Sequence, residues 1–419
     1  MKRSLFSGCC LLMVIQMQPL QAAPAGGQEA VTVACGDCQP GSRQTGTPAS
    51  GLRFSCPAGE VVKFGQAVDA YLLSNGISMR HIAKTIDTEH GTLSYVMRTD
   101  RQTHDTLALA RHPALRVKDE RLLLPGAHGT MRPIHTVSKQ EILLALMQTG
   151  RLTAFDAPAC SLDTLKDHVA IRQNIVAWAE NLNWVWPNGG QARWNTRYWR
   201  RGTPRHDVPL HVAVNDAFIN QRLYSIGCYT GAKLVMIQGV LDYYQRIKRD
   251  PEQVKRIEAR LWSNQDPLTD IEPGRMWDFE ADFDNKEQNR PGKLLTIQYG
   301  VPARHFVPGD WAYFLNTDAK SYQKTGYEGS NAIYLGRNRF DDFYNDHNHA
   351  YTYHEKLDEV YQWRHGVFSR SRDAAKIKPL SRQAMARLEQ PPKQGGLVND
   401  FRVYPYFFGA PLPELPRQK

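Results

Sequence analysis

The sequence predicts an α+β protein: a mainly helical, disulfide-stapled N-terminal domain, then a domain in which a helix opening on a cysteine precedes antiparallel strands. Three observations predict it. Helix-period apolar residues and capping signals concentrate before residue 187. Gly227-Cys228 stands where a loop enters a long apolar stretch, Cys228 to Arg249. Three β-type runs follow, Leu294 to Tyr299, Trp311 to Leu315 and Asn331 to Leu335. Helices and strands that segregate along a chain give α+β rather than alternating architecture.

The elements follow in chain order. Lys2 and Arg3, an apolar stretch from Leu5 to Met17, and small residues at Ala22, Ala23 and Ala25 have the layout of a cleaved signal peptide, residues 1–23. The apolar stretch is too short for a stable membrane anchor, and no later run of about twenty apolar residues is present. The expected location is therefore periplasmic or secreted, with no transmembrane anchor after cleavage. Residues 24 to about 55 are rich in Gly, Ser, Thr and Pro and read as an irregular lead-in. Val61, Val62, Phe64, Val68, Tyr71 and Leu72 predict an amphipathic helix between Gly59 and Asn75. Ser138-Lys-Gln-Glu141 is a capping box ahead of Ile142, Leu143, Leu144 and Leu146. A further helix spans Ser161 to Asn183, stopped by Pro187-Asn-Gly-Gly190. The 24–187 segment thus reads as an accessory or pro-domain.

A second domain, 188–390, carries the Cys228 helix, whose inward face is expected to hold Ala232, Val235, Met236, Val240 and Tyr243. Asp250-Pro251 breaks it before a shorter helix, Glu252 to Trp262. Residues 264 to 293 are acidic and polar and read as a long loop. The Pro-rich tail, 391–419, is expected along the surface.

Hydrophobic content of 42% and charged content of 22% exclude a disordered chain. The net charge is +10, or +8 without Lys2 and Arg3, and no clustered basic motif accompanies it, so no nucleic-acid partner is expected. Of seven cysteines, Cys9 and Cys10 leave with the leader. Cys35, Cys38, Cys56 and Cys160 are the disulfide candidates, with three possible connectivities, and Cys228 is the odd one. Zinc at Cys35-Gly-Asp-Cys38 is the rival, disfavoured by export.

A thiol attacks as the thiolate, and a helix start supplies unsatisfied N–H groups that favour negative charge. Cys228 has that position; the competing reading is a buried structural cysteine. The segment Tyr327-Glu-Gly-Ser-Asn-Ala-Ile-Tyr-Leu-Gly336, followed by Asp346-His-Asn-His349, supplies polar and basic partners downstream. With Asn195-Thr-Arg-Tyr-Trp199, the Cys228 helix start and Pro308-Gly-Asp-Trp-Ala-Tyr-Phe-Leu-Asn316, these landmarks make residues 194 to 349 resemble the bacterial protein-glutamine γ-glutamyltransferases of spore coats. The resemblance implies a papain-like core of NlpC/P60 type and a transferase that needs no cofactor. It implies Cys228 as nucleophile and His349 as base, with His347 and His354 as alternative bases. The family's acid falls on Ser330, a departure that leaves Glu328 or Asn331 to supply the orienting hydrogen bond. Glu328 shares a strand face with Ser330, while Asn331 faces the other way. The implied partners are proteins bearing glutamine and lysine. A wall peptidoglycan amidase or endopeptidase acting on cell-wall peptides, and a decayed binding module, are the alternatives.

Two other constellations compete. Asp341, Asp342, Asp346, His347, His349 and His354 could hold a metal, but no His-Glu-x-x-His helix supports one, and no metal is assigned. Trp184, Trp186, Trp194 and Trp199 interleave with Arg193, Arg197, Arg200 and Arg201; a stacking surface is possible, and partly buried tryptophans with rim arginines are the preferred reading.

Overall fold

A computed structural model describes residues 50–98, 105–157, 159–187, 190–263, 296–299, 302–324, 326–341, 343–344, 350–368, 375–390 and 398–403. The leader, Cys35, Cys38, the acidic stretch 264–293, His347 and His349 lie outside the described residues. Among the described residues no helix is long and apolar enough to cross a membrane.

The first elements are β1 (Gly51–Ser55), α1 (Val61–Ser74), β2 (Ile82–Asp87), β3 (Thr92–Met97), β4 (Glu120–Pro125), β5 (Met131–Thr136), α2 (Lys139–Leu146), β6 (Leu152–Asp156) and α3 (Leu162–Glu180). The sheet order is β2-β3-β1-β6, with β1 antiparallel to β3 and parallel to β6. This corrects the expectation of a mainly helical N-terminal part, which is mixed. Leu93, Tyr95 and Met97 are buried alternately with less buried neighbours, a period-two pattern that only a strand produces. The helices fall where caps place them. Ser138 accepts from the Glu141 N–H, and Ser161 from the Thr164 N–H. Val61, Val68 and Leu72 bury one face of α1.

The second set comprises β7 (Trp199–Arg200), β8 (Thr203–Pro204), α4 (Leu210–Ile219), α5 (Cys228–Asp242), α6 (Pro251–Ser263), β9 (Thr296–Tyr299), β10 (Trp311–Leu315), β11 (Gly329–Gly336), β12 (Arg339–Asp341), β13 (Ala350–Tyr351), α7 (Tyr353–Arg364), α8 (Arg382–Leu388) and β14 (Val398–Val403). Six strands form an antiparallel sheet ordered β13-β12-β11-β10-β14-β9. Two expectations change here. Part of the tail is not surface chain: 398–403 pairs with β10 on one side and β9 on the other, satisfying both strands' backbone groups. The Cys228 helix is regular only to Asp242 and then widens into a π-turn, Tyr243–Lys248, ended by Arg249 in a left-handed conformation (φ 58°).

Helix α5 has no outward face; Tyr229 to Leu241 are all buried. Helix α3 packs along it so closely that a Cβ at Gly239 would come within 2.3 Å of Ile175, and Asn174 Nδ2 donates to the Gly239 carbonyl at 2.8 Å. The sequence therefore carries no amphipathic stripe in α5, because layers cover it on every side.

Candidate active site

Gly227, extended at φ −68° and ψ 156°, ends the loop, and Cys228 is the first residue of α5. The N-cap position is Gly227, which has no side chain to offer, and a helix start favours negative charge beside it. The half-buried Cys228 lies outside the disulfide and meets β11. Its Sγ lies 3.9 Å from the Gly329 carbonyl oxygen, and Asn331 Nδ2 donates to Sγ at 3.5 Å.

Strand alternation decides which predicted residues reach the sulfur. Asn331 and Gly329 share one face of β11. Ser330 faces away from it, and its hydroxyl donates to Glu359 Oε2 on α7 at 3.3 Å. Glu359 also receives Lys356 Nζ at 2.6 Å, so Ser330 belongs to a buried polar cluster under α7. Glu328 bends back on its own turn, where Oε2 accepts from the Gly326 N–H at 2.9 Å. Its Oε1 is buried with no hydrogen-bond partner among the described residues, and burial raises the carboxyl above its ordinary range. The ring of His354 bonds Glu389 at 3.0 Å on the exposed surface and packs beside Tyr353. Cys228 and Asn331 are thus brought together; Ser330, Glu328 and His354 bond elsewhere.

The floor of the site is the β10–β11 ladder, with Tyr313 opposite Asn331 and Trp311 opposite Ile333. Trp311 Nε1 donates to Asn331 Oδ1 at 2.8 Å, while its ring packs edge-on against Tyr229 of α5 at 5.2 Å. Tyr313 lies over Gly329, where an added Cβ would stand 2.5 Å from its ring. Sequence reasoning passed over Trp311 and Tyr313 as functional residues. The available signal was the two-residue spacing of Trp311 and Tyr313 against Gly329 and Asn331 on paired strands.

The segment 345–349 is entered from a firmly held residue. Tyr344 donates its hydroxyl to the Ile226 carbonyl at 2.7 Å, two residues before Cys228. Phe343 and Trp184 close on Gly231 of α5, leaving an added Cβ only 3.1 Å and 3.2 Å from their rings. The tryptophan-rich stretch is structural: Trp184 and Trp199 are buried, Trp186 and Trp194 pack against the core, and Arg193, Arg197, Arg200 and Arg201 are exposed. Among the described residues no group of three or more His, Cys, Asp or Glu could hold a metal.

Comparison with known proteins adds to this geometry. The family profile described as protein-glutamine gamma-glutamyltransferase matches residues 130–356, more than half of the 419-residue chain. A protein-glutamine gamma-glutamyltransferase of Bacillus cereus (strain AH820) is 26% identical over 206 residues, 47% of this chain and 62% of that protein. One from Bacillus anthracis (strain CDC 684 / NRRL 3495) gives the same figures. The chain thus spans under two thirds of the length of these relatives. A solved transglutaminase from Geobacillus stearothermophilus, without its C-terminal extension, is 18% identical at a TM-score of 0.35, covering 61% of this chain and all of that one. The matched family and relatives are named for transfer and not for wall hydrolysis.

Proposed function

Because the chain belongs to the protein-glutamine γ-glutamyltransferase family, we propose that it is an exported transglutaminase with a papain-like core of NlpC/P60 type, using Cys228 as nucleophile on protein glutamine side chains. The observation that carries this reading is the thiol at the first residue of α5, bonded to the strand that follows the Pro308-Gly-Asp-Trp motif. The thiolate attacks the carboxamide carbon, the tetrahedral adduct expels ammonia, and a thioester remains. A lysine amine then attacks the thioester, leaving an isopeptide bond and restoring the thiol; water in its place gives deamidation. The thiol proton passes to a base and from there to the departing ammonia. Asn331 carries no basic site for that proton. His349 is the proposed base, with His347, two residues earlier, as the alternative, and the reading is supported by the anchoring of Tyr344 at Ile226. Glu328 and Ser330 remain the proposed orienting positions of the resemblance, although their bonds run to Gly326 and Glu359.

The Cys56–Cys160 disulfide suits an oxidising compartment. It leaves Cys35 and Cys38 as the proposed second pair. The part before residue 188 is proposed as an accessory segment that braces the nucleophile helix, through α3. The test is incorporation of a labelled primary amine into a glutamine-bearing protein. The wild-type protein is expected to label it with release of ammonia, and Cys228→Ala to do neither. Full labelling by the Ala variant would end the proposal.

A further inference from the structure

We propose that Asn331 is a catalytic residue that acts on the sulfur itself, its amide N–H holding Cys228 as the thiolate, and that Trp311 is the residue that positions it. The resemblance offers Asn331 only as a partner for a histidine. The geometry is different: Nδ2 donates to Cys228 Sγ at 3.5 Å, and Oδ1 is occupied by the indole N–H of Trp311 at 2.8 Å.

Those two bonds fix each other. An asparagine amide has one accepting end and one donating end, and only the accepting end can meet an indole N–H, which donates and cannot accept. Trp311 therefore excludes the flipped amide, which would turn an oxygen toward the sulfur and repel a thiolate. Trp311 is itself held on several sides. It is fully buried, paired in β10 and packed against Tyr229 of the helix that carries the thiol. Asn331 is 3% exposed, so its bond to sulfur is shielded from competing water. The thiol form can donate to the Gly329 carbonyl, whereas the thiolate loses that bond and keeps the amide. A hydrogen bond given to the charged form favours ionisation. Of the titratable side chains on the elements packed here, Tyr313 lies opposite Asn331 on β10, and Tyr229, whose ring meets Trp311, has the Lys233 ammonium 4.3 Å from its ring centre.

The proposal rests on the transglutaminase reading only in calling the residue catalytic. The bonding claim is tested on the full chain without any acyl substrate, by the rate of Cys228 alkylation with iodoacetamide between pH 5 and 10, read by mass spectrometry. Asn331→Ala should move the midpoint of that profile up by about one pH unit, a roughly tenfold loss of rate below the wild-type midpoint. Trp311→Phe keeps the ring and removes the N–H; it should move the midpoint the same way by less. Asn331→Asp should move it furthest, because a carboxylate beside the sulfur opposes the second charge. Should the Ala variant not fold, the Phe and Asp variants decide the matter. An unchanged midpoint in the folded variants overturns the proposal. Shifted alkylation without amine incorporation by the wild-type protein would instead sink the transglutaminase reading and leave this one standing.

Discussion

Asp310 shows how a motif residue beside a reactive site can serve the scaffold. It lies in the Gly-Asp-x-x-Tyr-Phe stretch, and its carboxylate is wholly buried. Arg151 donates to it at 2.5 Å and 3.1 Å, Arg172 at 2.8 Å and the Val307 N–H at 2.8 Å. Burial alone would raise this carboxyl, but Arg151 and Arg172 hold it below the usual carboxylate range. A depressed folded value gives stability that is complete above the unfolded value near 4 and is lost as pH falls through the folded one. Asp310→Asn would leave two guanidinium groups facing a neutral amide in the interior. The expected loss is about 3–5 kcal/mol, checked by urea unfolding at pH 7, with a flatter acid limb than the wild type. The sequence showed that Asp310 mattered for the landmark and could not show why, since Arg151 and Arg172 lie far away along the chain. Asn331 and Ser330 were the reverse case. Their opposite directions follow from strand periodicity alone, but what each one meets, Cys228 or Glu359, depends on which helix covers which face.

Helix α2 carries the next level of organisation. Its Ser-x-x-Glu signal placed the N-terminus correctly, and Ser138 does cap it. The glutamate does something the motif does not foretell. Glu141 Oε1 accepts from the Arg337 N–H at 2.7 Å, and Oε2 lies 3.6 Å from Arg337 Nε. Arg337 and Asn338 form the two-residue turn between β11 and β12, both left-handed at φ 54° and 56°. Asn tolerates that region and Arg does not readily, so the bond that the Arg337 N–H gives to the buried Glu141 carboxyl fixes an otherwise costly turn. Burial pushes the Glu141 carboxyl up to about 7, against the lowering effect of the Arg337 N–H. Here the sign is opposite to Asp310. The native state holds its proton longer than the unfolded chain, so stability falls as pH rises from about 4.5 to about 7, by on the order of 3 kcal/mol. Glu141→Gln keeps an acceptor for Arg337 and should remove that fall; urea midpoints at pH 5 and pH 8 would then differ less than in the wild type. An equal difference in both proteins would refute the assignment. Elements with a local signature, such as the capped start of α2 or the helix from Ser161, could be read in advance, whereas the alternation in Thr92–Met97 went unread. The strand 398–403 could not, because nothing in a Pro-rich tail announces that a gap between β10 and β9 needs filling.

At the scale of the whole molecule, the question is whether the chain before Pro187 is separable from the cysteine-bearing part. Composition suggests a boundary at Pro187-Asn-Gly-Gly190, where the Gly190 N–H donates to the Pro187 carbonyl at 2.8 Å. The packing, however, runs across it. The described residues fall in one compact unit, and α3 lays Ile175, Asn174 and Trp178 against α5 and its Asp242. Arg151 and Arg172 neutralise Asp310 from across the same line, and Glu141 clamps the hairpin of β11. The Cys56–Cys160 disulfide, closing a separation of 104 residues, ties β1 to the start of α3 and so holds that helix in register with the parallel β1–β6 pair. Loop closure on that scale is worth up to about 4.7 kcal/mol in the chain-entropy account. A fragment starting at residue 188 would expose one flank of α5, strand Asp310 in the interior without either arginine and release the β11 turn. Together these losses are comparable with the total stability of an ordinary domain. Such a fragment is expected to show no cooperative unfolding transition, and its Cys228 to alkylate at the rate of an unfolded thiol. A cooperative transition together with the alkylation profile of the full chain would show that α3 is dispensable, and the bracing role would fall with it.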